Sequence, residues 1–70
     1  MLYSLTATAG SNNRTQMFHA DNDDDAAMQA IGIIARRAYG QLDSPWAVGH
    51  IELRNEGAEL VRVMPAKADQ

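Results

Sequence analysis

The chain has 70 residues, no cysteine, six Lys and Arg against nine Asp and Glu, and a net charge of −3. That length allows one domain with a thin core, since a chain of this size buries only about 60% of the surface its unfolded form exposes, and without cysteine neither a disulfide nor thiolate-bound zinc can brace it. The acidic balance runs against the positive excess of a duplex-binding domain, and the longest nearly apolar stretch, residues 26–35, is too short to span a bilayer.

Residues 2–9 alternate, with Tyr3, Leu5, Ala7 and Ala9 on one face and Ser4, Thr6 and Thr8 on the other, the pattern of a half-buried strand. Residues 10–13, Gly-Ser-Asn-Asn, carry the chemistry of a hairpin turn. Residues 14–20 form the returning strand, with Phe18 and Ala20 assigned to its inward face. Residues 21–25 read as a helix start, where Asp21 or Asp23 accepts a bond from an open backbone N–H and the other acids meet the positive end of the helix dipole. Ala27, Ile31, Ile34 and Ala38 then recur at spacings of four, three and four, flanked by Ala30 and Leu42, and predict the seam that packs on the sheet. On that wheel Ile33 projects opposite the core, near Gln29 and Arg36, with Tyr39 at the border. Arg36 and Arg37 suit the helix C-terminus, and Gly40 is a stop. Gly32 costs roughly 1 kcal/mol against alanine in mid-helix and is expected to permit close packing on the sheet or on a partner.

Residues 43–45 predict a loop. Residues 47–54 alternate as a third strand, with Gly49, Ile51 and Leu53 inward and Val48, His50, Glu52 and Arg54 outward. Asn55, Glu56 and Gly57 form a turn with Gly57 available for the left-handed position. Residues 58–64 form the fourth strand, with Ile51 facing Val61 and Gly49 facing Val63, and Pro65 ends its pairing. The whole predicts one α+β domain over residues 1–65, ββαββ in order, with a four-stranded, mainly antiparallel sheet, one helix on one face, and a flexible tail at 66–70.

The chemistry-bearing residues form no catalytic set. Asp21, Asp23 and Asp25 match the first, third and fifth places of a calcium loop, but its sixth and twelfth places hold Ala26 and Gly32 instead of glycine and glutamate. Capping and dipole complementation explain the run better than a cation site or an acidic mimic of nucleic-acid phosphates. His19 and His50, with Asp21, lack any ligand spacing of a zinc site. No serine sits in a nucleophile elbow, and no glycine run has the spacing of a phosphate loop. The expectation is a non-enzymatic protein without metal or cofactor.

Interaction residues are more evident. Ile33, Tyr39 and Arg36 are assigned to an exposed patch on the helix. Trp46 closes the end of the core or serves as a contact hot spot. The expected partner is a second copy of the chain or another protein. The alternative is nucleic acid, should Arg14, Arg36, Arg37, Arg54 and Arg62 gather on one side. A small ligand between helix and sheet is disfavoured by the alanines of the seam, which bring the two layers close. Met1 leads into a strand-like alternation with no charged leader or apolar block, so a cytoplasmic location is expected.

The run Phe18-His19-Ala20-Asp21-Asn22-Asp23-Asp24-Asp25-Ala26-Ala27, with Trp46-Ala47 and Ile51-Glu52-Leu53 further on, resembles small single-domain proteins of actinobacteria and their phages. The resemblance covers nearly the whole chain and rests on structural motifs: a strand end, a capped helix, an aromatic corner and a hairpin. It implies a phage accessory protein and transfers no activity.

Overall fold

A computed structural model describes residues 1–64. The expected strand stop at Pro65 and the tail at 66–70 lie outside the described residues. The elements run β1 (Leu2–Ala9), β2 (Asn12–His19), α1 (Asp23–Ala38), α2 (Pro45–Val48), β3 (His50–Arg54) and β4 (Leu60–Val63). The four strands form one antiparallel sheet in the order β2-β1-β3-β4, with α1 on one face, so the α+β ββαββ expectation holds.

The first hairpin is tighter than the sequence suggests. Ala9 pairs with Asn12, so the turn is Gly10-Ser11 alone, and Asn12 and Asn13 belong to β2. Gly10 holds φ at +62° and Ser11 does not, the II′ pattern whose twist matches the flanking strands. Tyr3, Leu5 and Ala7 are fully buried on the helix side, and Tyr3 stacks on Phe18 across the ladder with ring centroids 6.0 Å apart. Reciprocal bonds between Met1 and Ala20 extend the hairpin by one pair beyond β2.

The start of α1 is capped by Asn22, not by an aspartate. Its Oδ1 accepts from the Asp25 N–H at 2.8 Å, and Asp25 Oδ2 accepts from the Asp21 N–H at 3.0 Å, a reciprocal arrangement close to a capping box. Asp23 instead reaches the sheet, where its Oδ1 accepts from the Tyr3 hydroxyl at 2.8 Å. Burial first, then the hydrogen bond and charge of Asp23, push the Tyr3 hydroxyl up to about 12 from 10.0. The unfolded chain would release this proton near pH 10 while the folded chain keeps it. The stability it contributes is therefore complete below pH 10 and is lost as pH rises toward 12. Alkaline titration followed by circular dichroism should show that loss in the native chain and a shallower one in Tyr3→Phe. The same variant should melt on the order of 5 °C lower at pH 7; unchanged melting and an unchanged alkaline profile would contradict the tie.

The helix is rotated relative to the expected seam. Its buried residues are Ala26, Ala27, Ala30 and Ile33, while Ile34 and Ala38 pack at the margin of the core. Ile31, expected inward, is 60% exposed; Ile33, expected outward, is 7% exposed. The cause is steric. Tyr3, Leu5, Ile51 and Leu53 are the largest fully buried side chains and fill the space above the sheet. The face of α1 lowered onto them is the one bearing the small side chains of Ala26, Ala27 and Ala30. Gly32 does not mediate close packing on the sheet, since a Cβ there would meet only the flexible end of Arg36, at 3.8 Å. Gly40 ends the helix at φ +70°, as its position suggests.

Residues 45–48 are helical, not the start of a strand. Ser44 Oγ accepts from the Trp46 N–H at 3.0 Å and Pro45 opens the turn, a cap and a first-turn proline that favour helix over extension. Strand β3 therefore begins at His50. Its register against β4 also differs from expectation: Glu52 pairs with Val63, Leu53 with Arg62 and Arg54 with Leu60, so Val61 is an extra residue in a bulge and not the partner of Ile51. The residue at positive φ in that hairpin is Ala58, at +64°, and not Gly57. Asn55 makes this conformation possible by accepting at Oδ1 from the N–H groups of both Gly57 and Glu59, at 3.0 Å each.

Candidate functional site

Three surfaces are left open by this packing. The first is the sheet face opposite α1, which carries Ser4, Thr6, Thr15, Glu52 and Arg54. Its polar groups are largely satisfied by one another: Glu52 accepts from Arg54 at 2.7 Å and meets His50 at 3.1 Å, and Thr6 meets Thr15 at 3.3 Å. The hydrogen bonds from Arg54 and then His50 hold the Glu52 carboxyl below its usual range. Tyr3 and Phe18 point to the other face, so no aromatic side chain among the described residues offers a base-stacking platform here.

The second surface runs along α1 on the side of β4. Met28 is 74% exposed and Ile31 60%, and Ala35 and Ala38 continue the line at spacings of four and three. Ile31, Ile34, Ala35 and Ala38 form one wall of a shallow groove whose other wall is Arg62, Val63 and Met64. The buried Ala26, Ala27, Ala30 and Ile33 and this exposed line together make an apolar arc wider than one sheet face can cover.

The third surface lies on the side of β2. Gln16 and Phe18 from the strand, and Gln29, Gly32, Ile33 and Arg36 from the helix, enclose an open groove. It continues into a second hollow where Arg14, Arg36 and Arg37 meet Tyr39, Asp43 and Trp46. Arg37 also donates to Gln16 Oε1 across the groove. The described ion pairs are those of Glu52 with His50 and Arg54; neither engages Arg14, Arg36 or Arg37.

Of the residues assigned from sequence to an interaction site, Arg36, Tyr39 and Trp46 come together around this hollow. Tyr39 is 87% exposed, while Trp46 is buried and presents one edge. Ile33 is not a surface contact but the floor of the adjoining groove. Sequence reasoning missed Gln16 and named Arg14 only for the nucleic-acid alternative; their inward-facing polar side chains at alternate positions of β2 signal that the helix does not cover that strand. Three of the five arginines gather; Arg54 is held by Glu52 and by the Ala58 carbonyl, and Arg62 lines the opposite groove.

His19 and His50 do not meet. His19 pairs with Leu2 and His50 with Thr8, at opposite ends of β1 and on either side of it. Among the described residues no group of three or more His, Asp or Glu is placed to hold a metal ion, and no helix is long and apolar enough to cross a membrane. Within the Asp21–Asp25 run, Asn22 and Asp25 cap α1 and Asp23 bonds to Tyr3. Comparison of this chain with protein-family models, with curated proteins and with solved structures gives no match.

Proposed function

We propose that this chain is a small non-enzymatic protein-interaction module that acts as a homodimer. One observation supports the reading above the rest: the apolar line of exposed Met28, Ile31 and Ala35 and half-buried Ala38 along α1, beside a groove that the monomer leaves empty of its own described side chains. Apolar surface of this extent on a domain with a thin core favours burial against a partner. The line is self-complementary. In an antiparallel pair of α1 helices, Ala35 lies at the two-fold axis and Ile31 of each copy meets Ala38 of the other, large against small, with opposed helix dipoles. Alanine at the centre allows axes to approach to about 8 Å. In the setting implied by the resemblance to phage proteins, such a dimer would serve as an accessory factor that binds a host protein.

Sedimentation equilibrium is expected to give twice the chain mass of 7.6 kDa for the native protein and the chain mass for Ile31→Asp. Because the chain has no cysteine, Ala35→Cys gives a clean second reading: it should form a disulfide-linked dimer on mild oxidation, and Thr15→Cys, on β2, should not. A native species of 7.6 kDa at every concentration would end the proposal, and cross-linking at Thr15 in place of Ala35 would move the interface elsewhere.

A further inference from the structure

We infer that the free edge of β2, with the arginine groove beside it, takes an acidic extended segment of a partner protein as an added strand. This deepens the interaction-module reading by naming the partner's chemistry, but it uses a different surface from the proposed dimer.

The two edges of the sheet differ. Strand β4 has four residues and a bulge at Val61, features that discourage pairing; β2 has eight residues, no proline and an unbroken register with β1. The reciprocal bonds of Met1 with Ala20, and the two-residue turn at Gly10-Ser11, fix which backbone groups of β2 face β1. Those of Asn12, Arg14, Gln16 and Phe18 do; those of Asn13, Thr15, Met17 and His19 face outward. Exposed side chains rest on the outward carbonyls: Arg14 donates to Asn13, Gln16 to Met17 and Gln29 to His19, at 3.0 to 3.2 Å. These exposed bonds are replaceable by the N–H groups of an incoming strand.

The groove sets what that strand must carry. Its inward side chains, at alternate positions, lie next to Phe18, Gln16 and Arg14 and beneath Gly32 and Arg36. At the Phe18 end the neighbours are Phe18, Gly32 and Ile33, which suit one apolar residue. At the Arg14 end they are Arg14, Arg36 and Arg37 against the single carboxylate of Asp43, which suit Asp or Glu. A second copy of β2 is a poor occupant, since it would bring the arginine clusters of both copies into one interface. An acidic strand removes that repulsion and supplies the missing counter-charge.

The test is a titration with a nonapeptide that alternates threonine with glutamate and has one valine near its N-terminus, followed by the fluorescence of Trp46 and by amide chemical shifts. Expected are saturable binding, shifts confined to β2, the C-terminal half of α1 and the hollow around Tyr39, Asp43 and Trp46, and at least about tenfold weaker binding when lysine replaces glutamate. Thr15→Pro removes an outward N–H without touching the β1–β2 ladder, so it should abolish binding while the fold and the sedimentation behaviour stay unchanged. Arg36→Glu should do the same through charge. Ile31→Asp should keep binding, so that loss of the dimer and loss of the peptide site are read separately. Equal binding of the lysine peptide, full binding by Thr15→Pro, or saturation by a single-stranded oligonucleotide in place of the peptide would overturn the inference.

Discussion

Ile33→Ala is expected to lower the stability of the folded chain by about 3 kcal/mol, while Ile31→Ala, two positions earlier on the same helix, should change it by no more than about 0.5 kcal/mol at concentrations too low for association. Both remove the same atoms from the same helix. Ile33 is packed in the core with Ala30 and the side chains of the sheet, and its loss leaves a cavity; Ile31 gives up only surface. A domain of this size holds only about 4–10 kcal/mol in total, so the first variant should melt on the order of 15 °C lower. Urea unfolding of both variants across a dilution series provides the measurement. Equal losses, or the larger loss at Ile31, would mean that α1 sits on the sheet by the seam of Ala27, Ile31, Ile34 and Ala38 after all. At higher concentration Ile31→Ala should weaken the dimer, and this concentration dependence separates its role from that of Ile33.

Gly49→Ala should cost about 3 kcal/mol or more, and is the single methyl addition with the largest expected effect. Gly49 joins α2 to β3 with φ −89° and ψ −178°, a conformation open to any residue, so the requirement is not one of backbone freedom. It is one of space. A Cβ at this position would lie 2.5 Å from the Thr8 carbonyl oxygen and 2.6 Å from that of Pro45. Both are backbone atoms, so relief requires moving β1 or unwinding the turn that seats Trp46. Gly32→Ala is the control: its Cβ would meet only the end of Arg36, and replacing glycine in mid-helix should stabilise α1 by up to about 1 kcal/mol. Thermal melts of the two variants decide the matter, and a Gly49→Ala chain as stable as the native one would refute the close approach.

The groove beside β2 shows why part of the candidate site was readable and part was not. Arg36, Tyr39 and Trp46 carry individual signals of contact: a cation near a helix end, an exposed aromatic and the chain's only tryptophan. Arg14 carries none. It becomes part of the site because the hairpin sets β2 at the sheet edge and the helix, lying over β1 and β3, leaves that strand uncovered. Charges 22 positions apart in the chain then share one hollow.

Local chemistry determined the elements themselves. Alternation over residues 2–9, a glycine able to hold positive φ at position 10, a polar cap before an alanine-rich helix and a second hairpin after it are each decided within a few residues, and together they give ββαββ. Three features were settled only in the folded chain, one by packing and two by side-chain hydrogen bonds to the backbone. The rotation of α1 was open because its apolar arc exceeds what one sheet face can bury, and the bulky Tyr3, Leu5, Ile51 and Leu53 selected the alanine side. The helical turn at residues 45–48 was hidden because four apolar residues, Pro45 to Val48, fit a strand as well as a helix until Ser44 caps them. The offset of β4 depended on Ala58 accepting a left-handed conformation under the hydrogen bonds of Asn55, a choice that no pattern of hydrophobicity records.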